Sequence, residues 1–220
     1  MGIILPIILL IASYLLGSIP NALIISKTFR GIDIRDYGSR NMGATNVNRV
    51  LGFKYGITVF ILDAIKAGII IFLFTSNLLE YDVDWMVLKI HPLIYGVVAV
   101  IGHMFPIFAN FKGGKGVACC TGILLAYNPL IFLIVLVVFI IVLIWKKYIS
   151  LSSITSATVA FILTFFIYNT ETIDYVFTIV IGILWMFIII RHIPNIKRLI
   201  NHTESKFTIK KTNLHLIQRV

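Results

Sequence analysis

The feature that most constrains this chain is a succession of apolar runs long enough, or nearly long enough, to cross a bilayer. A span needs about 20 apolar residues, and inside lipid the backbone must satisfy its own hydrogen bonds, which leaves helices or closed barrels. The runs predict helices over Ile3–Ser26, Tyr55–Thr75, Pro92–Phe111, Val117–Tyr127, Leu130–Trp145, Ile149–Tyr168 and Tyr175–Arg191. Apolar residues make up 59% of the 220 and charged ones 13%, against about 45–50% apolar in a soluble domain. The reading is one all-α polytopic membrane domain over residues 1–220, with seven transmembrane helices and a short fourth helix after a glycine-rich loop. The first run has no basic start and no cleavage site followed by a soluble domain, so it reads as a retained span, not a signal peptide. Cys119 and Cys120 are adjacent in an apolar run and read as small core residues, not as a bridge.

Charge decides the topology. Val117–Trp145 can be read as one span, or as a short helix, a turn at Asn128-Pro129 and a returning helix. The second reading puts all but Lys66 and Lys89 of the 19 lysines and arginines on one side, as the positive-inside rule requires. The N-terminus is then outside and the C-terminus cytoplasmic. The other side holds Lys89 beside Glu80, Asp82, Asp84, Glu171 and Asp174. The net charge of +10 is thus topological, with a secondary use against anionic substrates or lipid headgroups, and calls for no nucleic acid.

Four polar segments gather on the cytoplasmic face. In Lys112-Gly113-Gly114-Lys115-Gly116, glycines permit close backbone approach, successive amides at a helix start make an anion-binding concavity, and lysines suit phosphate. The plainer alternative is a turn carrying topological lysines. No Ser or Thr follows either lysine, so it is not a Walker A loop. Gly38–Arg49 supplies Ser39, Asn41, Thr45 and Arg49, the hydroxyls, amides and guanidinium that a small polyol phosphate needs. Ser150–Ser153 lies at a helix start, where hydroxyls cap or bind anions. Arg191–Arg198 carries His192 and Asn195, with Glu204 beyond; a histidine titrating near neutrality can act as base, acid or phosphate ligand. Asp63 and Lys66 share one face inside a span and read as a structural pair. No set of residues has metal-ligand spacing, no GxSxG elbow occurs, and no His is followed by Asp five residues later.

Together, GSIPNA, GIDIRDYGSRNMGATNVNRVLG, LDAIKAG, GHMFPIFANFKGGKGVA, SLSSI and RHIPNIKRLINHTESK resemble the bacterial membrane glycerol-3-phosphate acyltransferases that take their acyl group from acyl phosphate, the PlsY family. The resemblance covers nearly the whole chain. It implies transfer of a fatty acyl group from acyl phosphate to the 1-hydroxyl of sn-glycerol 3-phosphate, giving lysophosphatidate and phosphate at the cytoplasmic face of the cell membrane, without a cofactor or metal. It implies catalytic roles for Ser39, Arg49, Lys115 and His192, and substrate binding by Asn41, Thr45, Gly113, Gly114, Gly116, Ser152, Ser153, Asn195 and Glu204. Arg40 and His202 stand where the family commonly has glycine, and Cys119 where it has threonine.

Acyl phosphate is a mixed anhydride, so phosphate leaves readily and the protein must mainly position and neutralise. Two doubly charged phosphates must be brought together. In this reading Arg49, Ser39, Lys115 and His192 hold glycerol phosphate, while the Gly113–Gly116 amides, Thr45, Ser152 and Ser153 hold the departing phosphate and the oxyanion. Either His192 or a substrate phosphate can take the proton. Positioning alone supplies ~7–11 kcal/mol. The rival class is an organic-phosphate transporter, favoured by the broken helix and by Asp63 and Lys66, and disfavoured by polar motifs confined to one face.

Overall fold

The computed structural model describes residues 4–76, 90–167 and 174–208. Ile3, Tyr168, most of the carboxylate-rich connection and the last basic residues of the tail lie outside the described residues. The architecture is all-α: α1 (Ile4–Ser18), α2 (Asn21–Arg30), α3 (Ala44–Leu51), α4 (Phe53–Thr75), α5 (Pro92–Met104), α6 (Val117–Tyr127), α7 (Pro129–Lys146), α8 (Ile149–Leu163) and α9 (Tyr175–Ile200), with short 3-10 turns at Ile34–Asp36 and Ile107–Ala109. Five stretches among the described residues are long and apolar enough to cross a membrane: Ile4–Arg30, Phe53–Thr75, Pro92–Ala109, Pro129–Lys146 and Tyr175–Ile200. The apolar helices α6 and α8 are shorter, α6 at 11 residues being ~16 Å long.

Local chemistry sets the breaks. Asn128 accepts from the Ile131 N–H at 3.0 Å and Pro129 starts α7, a position where its missing N–H costs nothing. Asp174 caps α9 through the Phe177 N–H at 2.9 Å. The first predicted span is not continuous: it stops at Ser18 and restarts at Asn21, because Pro20 cannot donate into the helix. Within the expected third span the helix ends at Met104, as Phe105 precedes Pro106 and is kept out of the helical region, and the apolar stretch runs on through the 3-10 turn to Ala109. In the other direction, α9 runs nine residues past Arg191 to Ile200, through Pro194; its start inside a bundle does not stop it from emerging with a charged last turn.

The charges inside the membrane gather at the break beside Pro20. Lys66 on α4 donates its Nζ at 2.8 Å to the Ile19 carbonyl, which also accepts the Asn21 N–H at 3.1 Å. The same ammonium lies 2.8 Å from Asp63 Oδ1 and 3.1 Å from His103 Nδ1, and Asn21 Nδ2 donates to Asp63 Oδ1 at 2.9 Å. A buried cation is tolerable only when paired and fully hydrogen-bonded, and this one is. α4 packs most extensively on α6, where Gly122 permits near backbone contact: a Cβ there would sit 2.0 Å from the Ala64 carbonyl oxygen. Small residues at such crossings are how helices associate in lipid. Only 11% of the α7 span is buried, so side chains such as Leu130, Leu133, Ile141 and Ile144 are left to face lipid, while Ile131 packs in the core.

Candidate active site

A single asparagine shapes the first polar segment. Asn46, buried on α3, accepts the Ser39 N–H on Oδ1 at 2.8 Å and donates Nδ2 to the carbonyls of Ile34 at 3.1 Å and Tyr37 at 3.0 Å. This pins the loop that precedes α3 and presents Ser39 and Asn41. Thr45, Asn48 and Arg49 follow at helical spacing on one face of α3 and all three line the same cavity. Arg49 makes no hydrogen bond or ion pair with the described residues, and Asn48 Oδ1 is buried without a partner.

The glycine loop is built against His103. The Gly114 N–H donates to the His103 carbonyl at 3.1 Å, and a Cβ on Gly114 would fall 2.1 Å from His103 Nε2. Arg191 reaches over from α9 and donates Nη2 to the carbonyls of Gly114 at 2.8 Å and Gly113 at 3.3 Å. Electronegative carbonyls are thereby neutralised, while the amides of Gly113, Lys115 and Gly116 have no acceptor among the described residues. The loop is left with free donors beside two carbonyls already engaged by Arg191, which favours an anion.

Lys115, Asn195 and Glu204 form a chain. Lys115 Nζ donates to Asn195 Oδ1, Asn195 Nδ2 donates to Glu204 Oε1 at 2.7 Å, and Glu204 also accepts from Ser150 Oγ at 2.8 Å and Arg198 Nε at 2.7 Å. Burial pushes the Lys115 ammonium down to about 8; Arg198, Arg191 and Arg49 add repulsion, and Glu204 opposes them. Against the upward pull of burial, hydrogen bonds from Arg198, Asn195 and Ser150 hold the Glu204 carboxyl below the usual range. Glu204 arrives there because His202 takes a left-handed backbone, φ 57°, and the Phe207 N–H ties the chain to the Lys147 carbonyl at 2.6 Å. His192 is buried, with Nδ1 2.8 Å from the Ile188 carbonyl. That carbonyl can only accept, so Nδ1 carries the proton, and in the neutral ring Nε2 is left with a lone pair.

These groups line one cavity of about 1540 Å³. Of the residues expected from sequence, Ser39, Asn41, Thr45, Arg49, Gly113, Lys115, Gly116, Ser153, His192, Asn195 and Glu204 line it. Two do not. Gly114 is sealed behind the loop by His103 and Arg191. Ser152 is fully buried and donates its hydroxyl to the Tyr148 carbonyl of its own helix at 2.9 Å; Ser150, one residue pair earlier, is the hydroxyl that joins the polar chain. From the polar basin the cavity continues between Ile57 and Phe60 of α4, Leu124 of α6, and Phe132, Leu136 and Phe139 of α7. One end suits phosphate, the other an alkyl chain. Asn46 and Asn48 fall in the first polar segment and Arg191 and Arg198 in the fourth, but the sequence assigns none of them a partner; no local pattern distinguishes a guanidinium that serves a backbone carbonyl from one that faces water. Among the described residues no group of three His, Cys, Asp or Glu side chains is placed to hold a metal ion.

The two residues that depart from the family's glycines both occupy left-handed backbone, Arg40 at φ 60° and His202 at φ 57°, the region glycine enters without steric cost. Comparison with known proteins agrees with the sequence resemblance. Residues 7–202 match the family model described as Glycerol-3-phosphate acyltransferase. The chain is 47% identical over 199 residues to the glycerol-3-phosphate acyltransferase of Bacillus subtilis (strain 168), covering 90% of this chain and 96% of that protein. It is 43% identical over 198 residues to the one from Fusobacterium nucleatum subsp. nucleatum, with 90% and 96% covered. Its fold is similar to the crystal structure of PlsY (YgiH), an integral membrane glycerol 3-phosphate acyltransferase, in its glycerol 3-phosphate form, with TM-score 0.81, 37% identity and 92% and 95% of the two chains covered. The lysophosphatidic acid form gives TM-score 0.78 and 36% identity over the same shares.

Proposed function

The chain belongs to the glycerol-3-phosphate acyltransferase family, and on that premise we propose that it transfers a fatty acyl group from acyl phosphate to the 1-hydroxyl of sn-glycerol 3-phosphate. The products are lysophosphatidate and phosphate, and the step is the first acylation of phospholipid biosynthesis. The observation that carries this reading is the single cavity that is cationic and amide-lined at one end and apolar at the other. An acyl donor needs both halves at once. A small polar acceptor needs the first.

In the proposed reaction the acceptor's hydroxyl oxygen bonds to the acyl carbonyl carbon and the carbonyl–phosphate C–O bond breaks. Arg49, Ser39, Lys115 and His192 hold the glycerol phosphate. The free amides of the glycine loop, with Thr45 and Ser153, face the departing phosphate and the developing oxyanion. Such preorganised donors act where charge appears in the transition state. The hydroxyl proton goes to His192 Nε2 or to a substrate phosphate, whose second pKa is about 6. The acyl chain lies along Phe60, Leu124, Leu136 and Phe139, toward the lipid-facing α7. We place the polar basin at the cytoplasmic face of the cell membrane, with seven transmembrane segments, α1–α2 counting as the first and outer ends joined near Asp174. Its support is the distribution of lysine and arginine.

The test is purified protein in detergent, supplied with acyl phosphate and glycerol 3-phosphate. Phosphate release that requires both, with lysophosphatidate formed in equal amount, is the expected result. Acyl-CoA and acyl carrier protein in competition settle the donor; transfer from either at a comparable rate removes acyl phosphate as the specific substrate. Exchange of glycerol 3-phosphate across liposomes without product points instead to a transporter.

A further inference from the structure

The loop ahead of α3 stores strain at Arg40. Its φ of 60° is costly for a side chain with a Cβ, and arginine is not among the types that tolerate it. Strain of this kind persists only where the surroundings over-determine it, and it clusters where ligands are held. Here the determinants are visible. Asn46 grips the loop on both sides of Gly38, and the Arg40 N–H donates to the Tyr37 carbonyl at 3.0 Å. The consequence is an exposed Arg40 lining the cavity between Ser39 and Asn41. Most other arginines there are committed. Arg35 is paired with Asp33 at 2.6 Å, Arg198 with Glu204 at 2.7 Å, and Arg191 with the glycine carbonyls. Among the described residues, Arg40 and Arg49 are the cavity arginines whose guanidinium groups have no protein partner. Nothing in the packing of the loop requires a side chain at position 40.

We propose that Arg40 is a substrate-contacting residue that sets acceptor specificity: its guanidinium binds the phosphate of the acceptor at the cavity mouth, beside Ser39, and so favours a phosphorylated over a neutral polyol. A planar guanidinium can take two phosphate oxygens at once. The inference rests on glycerol 3-phosphate being the acceptor. It adds a second guanidinium to Arg49, on the opposite end of the same segment, and gives the strained backbone its reason.

The experiment compares Arg40→Gly and Arg40→Lys with the unmodified protein in detergent. Initial rates are measured with each substrate varied in turn, at low and raised salt, alongside thermal unfolding. Arg40→Gly is expected to raise the KM for glycerol 3-phosphate roughly tenfold, to change kcat and the donor KM much less, and to flatten the salt dependence of the acceptor KM. Its Tm should rise by about 2–4 °C, because the strain is relieved. Arg40→Lys keeps charge and strain, so its Tm stays and its KM falls between the two. An acceptor KM within about twofold of the unmodified value in Arg40→Gly, or a rise confined to the donor KM, overturns the assignment. Calorimetric titration with glycerol 3-phosphate and no donor makes the comparison independent of turnover. Equal affinities overturn the role of Arg40; absence of acyl transfer by the unmodified protein, with glycerol 3-phosphate still bound more weakly by Arg40→Gly, overturns the reaction and leaves Arg40 as an anion-binding residue.

Discussion

Raising the pH should strip the cavity of its central cation and weaken acceptor binding. Lys115 is buried among Arg198, Arg191 and Arg49, and its ammonium is pushed down to about 8. A bound phosphate dianion holds the lysine charged. Free protein must therefore take up a proton whenever Lys115 starts neutral. With a pKa of about 8, the charged fraction is roughly 0.9 at pH 7 and roughly 0.1 at pH 9, so the apparent affinity falls about tenfold across that interval and approaches a slope of one decade per pH unit. The ligand does not contribute, since its second ionisation lies near pH 6. Folding stability moves the other way. A lysine pKa lowered from 10.5 means the unfolded chain binds more protons between about 8 and 10.5, so this group adds stability as pH rises through that window. The assay is calorimetric titration with glycerol 3-phosphate at pH 7 and pH 9, in buffers of different ionisation enthalpy, which yields the proton count directly. Uptake near zero at pH 7 and close to one at pH 9 is expected. Lys115→Arg, which does not titrate, should bind with no such slope. A flat affinity from pH 7 to pH 9 with no proton uptake, in a protein that binds at pH 7, refutes the placement of Lys115 against the phosphate.

The Arg49 guanidinium has no partner among the described residues, so Arg49→Ala should leave the Tm nearly unchanged while raising the acceptor KM by roughly ten- to a hundredfold; unaltered kinetics remove it from the pocket. Gly114→Ala should abolish turnover, because its methyl group would overlap His103 Nε2 at 2.1 Å; circular dichroism shows whether the fold is kept, and an active variant shows that the loop is not as rigid as argued. His192→Gln should lower kcat by about 10²–10⁴ if the ring takes the proton. A rate near that of the unmodified protein, with the same pH profile, assigns the proton to the substrate phosphate.

How far the sequence predicts such a site depends on the range of the interactions involved. Helix starts and stops are local: Asn128-Pro129 carries its own cap and breaker, and the short α6 between Gly116 and Asn128 could be delimited by reading. The four polar segments were legible as segments, since small polar residues and glycines are out of place between membrane-grade runs. Their meeting in one cavity required only that the helices alternate direction. The partners of individual groups were not legible. Ser150 rather than Ser152 turns toward Glu204 because the pitch of α8 places them about 200° apart, and the choice between the two faces is made by α9, not by α8.

The same limit accounts for the intramembrane charges. Asp63 and Lys66 announce themselves as a pair by their spacing, and that pairing is present. What Lys66 does beyond it depends on a proline more than forty positions away. The helix breaks at Pro20, and there the Ile19 carbonyl leaves the helical ladder, accepting the Asn21 N–H at 3.1 Å with a lone pair to spare. Lys66 donates to that carbonyl, Asp63 neutralises Lys66, and Asn21, the first residue after the break, completes the Asp63 shell. His103, which touches Lys66 through Nδ1 and presents Nε2 against Gly114, links this cluster to the back of the glycine loop. The buried charges thus hold a broken helix and form part of the wall of the cavity in one arrangement, since Asp63 and His103 themselves line it.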